Sequence, residues 1–280
     1  MAARCGIVEL WEAGIPSWRY LDALLALRAK GLPLPVRVRL LVAAGLAETG
    51  MRSRVGDEWV EVEGVKFYAD GWLGPRTCAL SSDFHDEPDY RGLLFQSAER
   101  LARRIDPFAR DGWLVATHAI GDRAIEVVLD AYEQVYGDDL ASAAPRIEHA
   151  QVLRGDLISR IAESGVTVCI QPGFAVDDEH HVHEALGAGW PDAYRWDRLL
   201  SAGVHVVCGS DFPIDGIEPL SGLRKLVRNP FGPMEVETAL ALMTKASAGV
   251  IELSSSPMDC DIDEISEISV LSTSPMPLQL

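Results

Sequence analysis

The sequence has no CxxC pair, no GxGxxG, no GxxxxGK and no apolar run approaching the ~18 residues of a membrane span. Each absence removes a class: a zinc knot, a dinucleotide or nucleotide fold of the usual kind, and an integral membrane protein. Five scattered cysteines (Cys5, Cys78, Cys169, Cys208, Cys260) read as buried thiols of a reducing compartment, so a cytoplasmic location is expected. The opening "MAARCGIVELWEAG" carries Arg and Glu among its apolar residues and lacks the core of a signal peptide. Basic residues are scarce, 25 against 42 acidic for a net charge of −17, which argues against a phosphate backbone as partner. No nucleic acid and no membrane are expected among the partners.

The chain has 280 residues, 48% of them hydrophobic, enough to bury a sizeable core in one α/β barrel or two small domains. Seven β-branched runs read as strands: 6–13, 34–42, 62–70, 113–119, 145–151, 165–172 and 203–211. Stretches with apolar spacing near 3.6 lie between most of them, at 17–31, 95–112, 122–137 and 155–165. Strand and helix alternate, so a parallel sheet covered on both faces is expected. A barrel and a doubly wound sheet both satisfy that pattern.

The placement of polar residues favours the barrel. Lys66, His118, His149 and Asp211 each fall inside or at the end of a different apolar strand, and in a barrel those ends converge on one mouth. Singly, each histidine reads as a core side chain, Asp211 as a cap and Lys66 as a snorkelling surface residue. Four together point to a metal site, because buried charges need partners or a metal. Imidazole and carboxylate suit zinc, which brings the pKa of bound water to about 7. Lysine is the odd member, since its ammonium has donors and no acceptor.

Five motifs, "VKFYADGWLGPRTCAL" (65–80), "THAIGD" (117–122), "IEHAQ" (147–151), "QPGFAVDD" (171–178) and "GSDFPIDGIEPL" (209–220), occur in the order seen in the amidohydrolase superfamily. They resemble most closely its amidohydrolase 3 branch, which includes N-substituted formamide deformylase-like metal-dependent hydrolases. The resemblance implies a (β/α)8 TIM-like barrel. It makes Lys66 a carbamylated lysine bridging two metals, His118 and His149 ligands of the second metal, and Asp211 both a ligand of the first metal and the catalytic proton acceptor. The substrates it implies are small molecules, N-substituted amides, formamides or cyclic imides.

The chain also departs from that pattern. The superfamily's first strand ends in an HxH pair, yet no histidine precedes Lys66. The run at 6–13 resembles the family's second strand, so the first strand and the β-sandwich segment before it are expected to lie outside this chain. One divalent ion, zinc by ligand type, is then expected where the intact family holds two. The HxH at His181 and His183 lies in an acidic stretch after the run at 165–172, and reads as a solvated cluster near a substrate-covering loop rather than a replacement ligand pair.

Residues 239–253 resemble the family's last barrel helix, which places a hydrolase barrel at 1–253 and an acidic tail at 254–280, with "EISVLSTSP" a candidate edge strand. Trp72, Arg76 and Gln171 are candidate substrate contacts, with packing or surface pairing as the competing readings for Trp72 and Arg76. The expected reaction is hydrolysis of a C–N bond by metal-activated water. The rival expectation is a catalytically inactive barrel remnant or interaction protein. Strand edges left open by the missing strand would favour self-association.

Overall fold

A computed structural model describes residues 1–30, 36–50, 55–244 and 249–275. In chain order the elements are β1 (Glu9–Ile15), α1 (Trp18–Ala29), β2 (Arg37–Ala43), α2 (Ala44–Ala47), β3 (Val60–Tyr68), α3 (Ala98–Arg110), β4 (Leu114–Ala119), α4 (Asp122–Tyr136), α5 (Leu140–Ala143) and β5 (Arg146–His149). Then follow α6 (Gly155–Ser164), β6 (Thr167–Ile170), α7 (Pro172–Asp177), α8 (Glu179–Leu186), α9 (Trp196–Ser201), β7 (Val206–Cys208), α10 (Pro219–Val227), α11 (Val236–Met243), β8 (Gly249–Leu253) and β9 (Val270–Pro275). All seven expected strands are present, in the sheet order β1-β2-β3-β4-β5-β6-β7. The ends of the expected runs at 34–35 and at 31 lie outside the described residues.

The chain divides into two compact units. The first comprises Met1–Lys66, Ser210–Val227 and Glu235–Leu280. Here β1, β2 and β3 pair in parallel. Arg37 and Arg39 of β2 are buried, and both face Glu9 of β1, at 3.3 and 3.7 Å, while Arg39 reaches Glu61 of β3 at 2.6 Å. This row of alternating charge lets two guanidiniums leave water, because each is paired across the strands.

At the other end of the chain, the stretch 239–253 is not one helix. Helix α11 ends at Met243, residues 245–248 lie outside the described residues, and Gly249–Leu253 forms strand β8, paired antiparallel with β9. The β-branched sequence "GVIEL" favours an extended chain once the helix has stopped. "EISVLSTSP" supplies β9, although residues 276–280 lie outside the described residues.

The second unit comprises Phe67–Gly209 and Arg228–Met234, and contains β4 to β7, all parallel neighbours. Strands β5 and β6 are buried along their whole length; β6 (TVCI) is largely apolar, whereas β5 (RIEH) buries Arg146 and Glu148 as a pair, 2.6 Å apart. Helix α4 buries Ala124, Ile125, Val128, Leu129, Ala131 and Tyr132, the three- and four-residue spacing of one helix face. The Tyr132 hydroxyl bonds to both Thr117 Oγ1 of β4 and the Arg146 carbonyl of β5, 2.8 Å each. One buried side chain therefore ties the helix to two strands. Among the described residues no helix is long and apolar enough to cross a membrane.

Candidate functional site

His118 and His149 meet in the second unit. Both are buried, with ring centroids 4.5 Å apart and planes at 67°. The register of β4 against β5 sets Ala119 beside His149 and His118 beside Glu148, which in regular strands would put the two histidines on opposite faces. His149 breaks the alternation with φ +80, followed by Ala150 at +46. A left-handed conformation at a non-glycine strand end is costly, and such strain clusters at functional sites. Phe174, from α7, stands 6.1 Å from the His149 ring, and Tyr68 is 5.5 Å from the His118 ring.

His118 is gripped by three consecutive residues after β3. The Ala69 N–H donates to the His118 carbonyl at 2.9 Å, and the Gly71 carbonyl lies 3.0 Å from His118 Nε2. Asp70, fully buried, places Oδ1 3.5 Å from the same nitrogen. Its carboxylate accepts from the backbone N–H groups of Ala79 (2.9 Å), Ile120 (3.0 Å) and Gly121 (2.8 Å). Burial pushes the Asp70 carboxyl up to about 7, against the pull of those three donors.

Two glycines permit this packing. A Cβ on Gly71 would stand 2.3 Å from Thr77 Oγ1, and one on Gly121 would stand 2.0 Å from the Ala79 carbonyl oxygen. "ADG" and "IGD" are thus two halves of one joint. At its end Asp122 opens α4, accepting from the Ser81 N–H and hydroxyl and from Arg154 at 2.8 Å. A carboxylate in a helix's first turn also complements the exposed N–H groups there.

Lys66 and Asp211 belong to the first unit. Lys66 is buried on β3, in register with Ala43 of β2. Asp211 is exposed after β7 with φ +56. Glu12 occupies an exposed position of β1, yet its carboxyl is shifted upward, first by desolvation from the surrounding chain and second by the charge of Asp211. Sequence reasoning missed Glu12 and Asp70. For Asp70 a signal existed: an acidic residue followed by glycine immediately after an apolar strand.

Of the expected substrate contacts, Trp72 is exposed. Gln171 is buried, donating from Nε2 to the Cys169 carbonyl at 3.1 Å, while its Oε1 has no hydrogen-bond partner among the described residues. Arg76 is held by Asp86, at 2.5 Å from Nη2, and donates to the Gly74 carbonyl at 2.7 Å. Its guanidinium binds the loop itself. His181 and His183 fall on α8, where the His180 and His181 rings lie 3.7 Å apart and His183 packs on Trp190 at 5.2 Å.

Two imidazoles converging in a buried place have the donor chemistry of a borderline divalent cation. They form a partial ligand set: among the described residues, no group of three or more His, Cys, Asp and Glu is placed to hold an ion.

Parallel strands alternate with helices, and two histidines meet at adjacent strand ends. The family model for the amidohydrolase family, Amidohydro_3, matches residues 2–256, and the chain belongs to that family. It is 35% identical over 237 residues to YtcJ of Bacillus subtilis (strain 168), a protein named as an amidohydrolase, covering 80% of this chain and 44% of YtcJ. It is 28% identical over 200 residues to the N-substituted formamide deformylase of Arthrobacter pascens, covering 57% of this chain and 35% of that enzyme.

Among solved structures, a metal-dependent hydrolase from Pyrococcus furiosus matches with a TM-score of 0.77 and 29% identity, over 86% of this chain and 51% of that one. The fold is therefore the α/β, TIM-like barrel of the metal-dependent hydrolases, here with seven parallel strands among the described residues. The chain spans less than half the length of the curated relatives it matches.

Proposed function

We propose that the protein is a hydrolase of C–N bonds in small N-substituted amides or formamides, acting through metal-activated water. The observation that carries this reading is the His118 and His149 pair, two buried imidazoles brought edge to face by a strained backbone. Family membership and the similarity to a formamide deformylase support it.

His118 and His149 would hold a divalent ion, zinc by ligand type; the family resemblance implies Lys66, as its carbamate, and Asp211 as further metal ligands. When bound, such an ion polarises a carbonyl and lowers the pKa of water to about 7. Asp211 takes the proton of the attacking water. Gln171 offers a buried carbonyl oxygen with no hydrogen-bond partner among the described residues, suited to an N–H of the substrate. Trp72 supplies an exposed aromatic face, and Arg76 acts by holding the loop after β3. A cytoplasmic location and self-association through strand edges complete the reading, the latter checked by light scattering.

A second reading, a barrel that has lost its chemistry, draws on the incomplete ligand set among the described residues. One experiment separates the two. The zinc-equilibrated chain is assayed on an N-substituted formamide beside Asp211→Asn. Slow hydrolysis that requires zinc and disappears in the variant supports the hydrolase. Hydrolysis absent at every zinc concentration supports the remnant.

A further inference from the structure

We propose that Asp70 is a positioning residue for His118: together with the Gly71 carbonyl it holds the imidazole in the tautomer protonated at Nε2, so that the ring's lone pair is on Nδ1. The proposal rests on the reading of His118 as a metal ligand, and deepens it.

The argument begins with what each neighbour can do. A carbonyl oxygen only accepts, so Gly71 O at 3.0 Å favours the proton on Nε2. Asp70 Oδ1 at 3.5 Å from that nitrogen adds a second negative neighbour favouring the same proton. The carboxylate cannot swing away. Oδ2 accepts from the Ala79 and Gly121 N–H groups and Oδ1 from Ile120, so its plane is fixed by three backbone donors. Two of those donors lie two and three residues after His118 itself. Asp70 therefore fixes the backbone that carries the imidazole as well as the proton the imidazole carries.

Its neighbours make the arrangement specific. Gly71 has no room for a side chain beside Thr77, so its carbonyl stays where His118 meets it. Asp122, the nearest other carboxylate in sequence, is committed to Ser81 and Arg154. A carboxylate or carbonyl behind a ligating histidine sets the ring's tautomer and orientation, and removing such a partner typically lowers metal affinity 10–100-fold.

The test uses the full chain with 15N-labelled histidine, at about pH 8 where an ordinary imidazole is neutral. His118 is assigned by the signals lost in His118→Asn. The wild type is expected to show Nε2–H, and added zinc chloride to shift Nδ1 while leaving Nε2–H in place. Asp70→Asn must turn an NH2 toward either the ring or the backbone donors. It is expected to shift His118 toward Nδ1–H and weaken zinc binding by about 10–100-fold.

A purely structural Asp70 would lower the melting temperature in the variant and leave the tautomer unchanged, which overturns the proposal. So does Nδ1–H in the wild type, a result that needs no variant to fold. Zinc that perturbs neither ring nitrogen overturns the metal reading, whereas a tautomer that still responds to Asp70→Asn sustains the role of Asp70.

Discussion

His149 meets His118 edge to face at 4.5 Å only because its own backbone is left-handed, at φ +80. Strand alternation would have separated the two rings, so the strained residue is what creates the pair. Asparagine tolerates that conformation and offers no imidazole. His149→Asn should therefore fold with a stability within about 1 kcal/mol of wild type, yet bind zinc at least tenfold more weakly. Thermal unfolding and zinc titration on one preparation check both halves. Unchanged zinc affinity would remove His149 from the ligand set.

Gly121 joins the end of β4 to α4 at a point where a Cβ would stand 2.0 Å from the Ala79 carbonyl oxygen. That oxygen belongs to backbone and cannot rotate away. Gly121→Ala should destabilise the protein by roughly 2–4 kcal/mol, the cost of forcing a packed backbone apart. Urea unfolding measures it, and a loss under about 0.5 kcal/mol would mean the joint is looser than described.

Much of this was legible in the sequence. The seven strands and four of the helices follow from apolar period, and the family from "THAIGD" and "IEHAQ". The joint between "ADG" and "IGD" was not, because its hydrogen bonds link residues about 50 positions apart and no local pattern encodes them. The left-handed turn at His149 was equally hidden, since neither histidine nor the alanine after it signals positive φ. Residues 249–253 misled as the end of a helix because 239–253 resemble, as one stretch, the family's last barrel helix, and only the partner strand β9 decides their state.

Tyr132 places its hydroxyl 2.8 Å from Thr117 Oγ1 and from the Arg146 carbonyl in a fully buried position. Tyr132→Phe keeps the ring and leaves both polar partners short of a bond. The loss should be about 1–3 kcal/mol, with no change in fold. Equilibrium denaturation supplies the value, and an equal or higher stability would show those partners are satisfied without it.

The Asp86 carboxyl is held below its ordinary 3.8, first by the hydrogen bonds from Arg76. Its folded value lies below its unfolded one, so the pair stabilises the fold at pH above the unfolded value, and that contribution is lost as pH falls through the lowered one. Asp86 is partly exposed, which limits the effect to about 1 kcal/mol. The stability gap between wild type and Asp86→Asn should therefore be present at neutral pH and close in acid. A gap constant with pH would contradict the pairing.

The central claim is that His118 and His149 hold a divalent ion, and metal content after zinc equilibration and desalting of the full chain tests it most directly. The account predicts one zinc per wild-type chain and none per chain of His118→Ala, with Cys5→Ser, which lies outside the pair, retaining it. Zinc retained by His118→Ala, two ions per chain, or none bound by a folded wild type would contradict it.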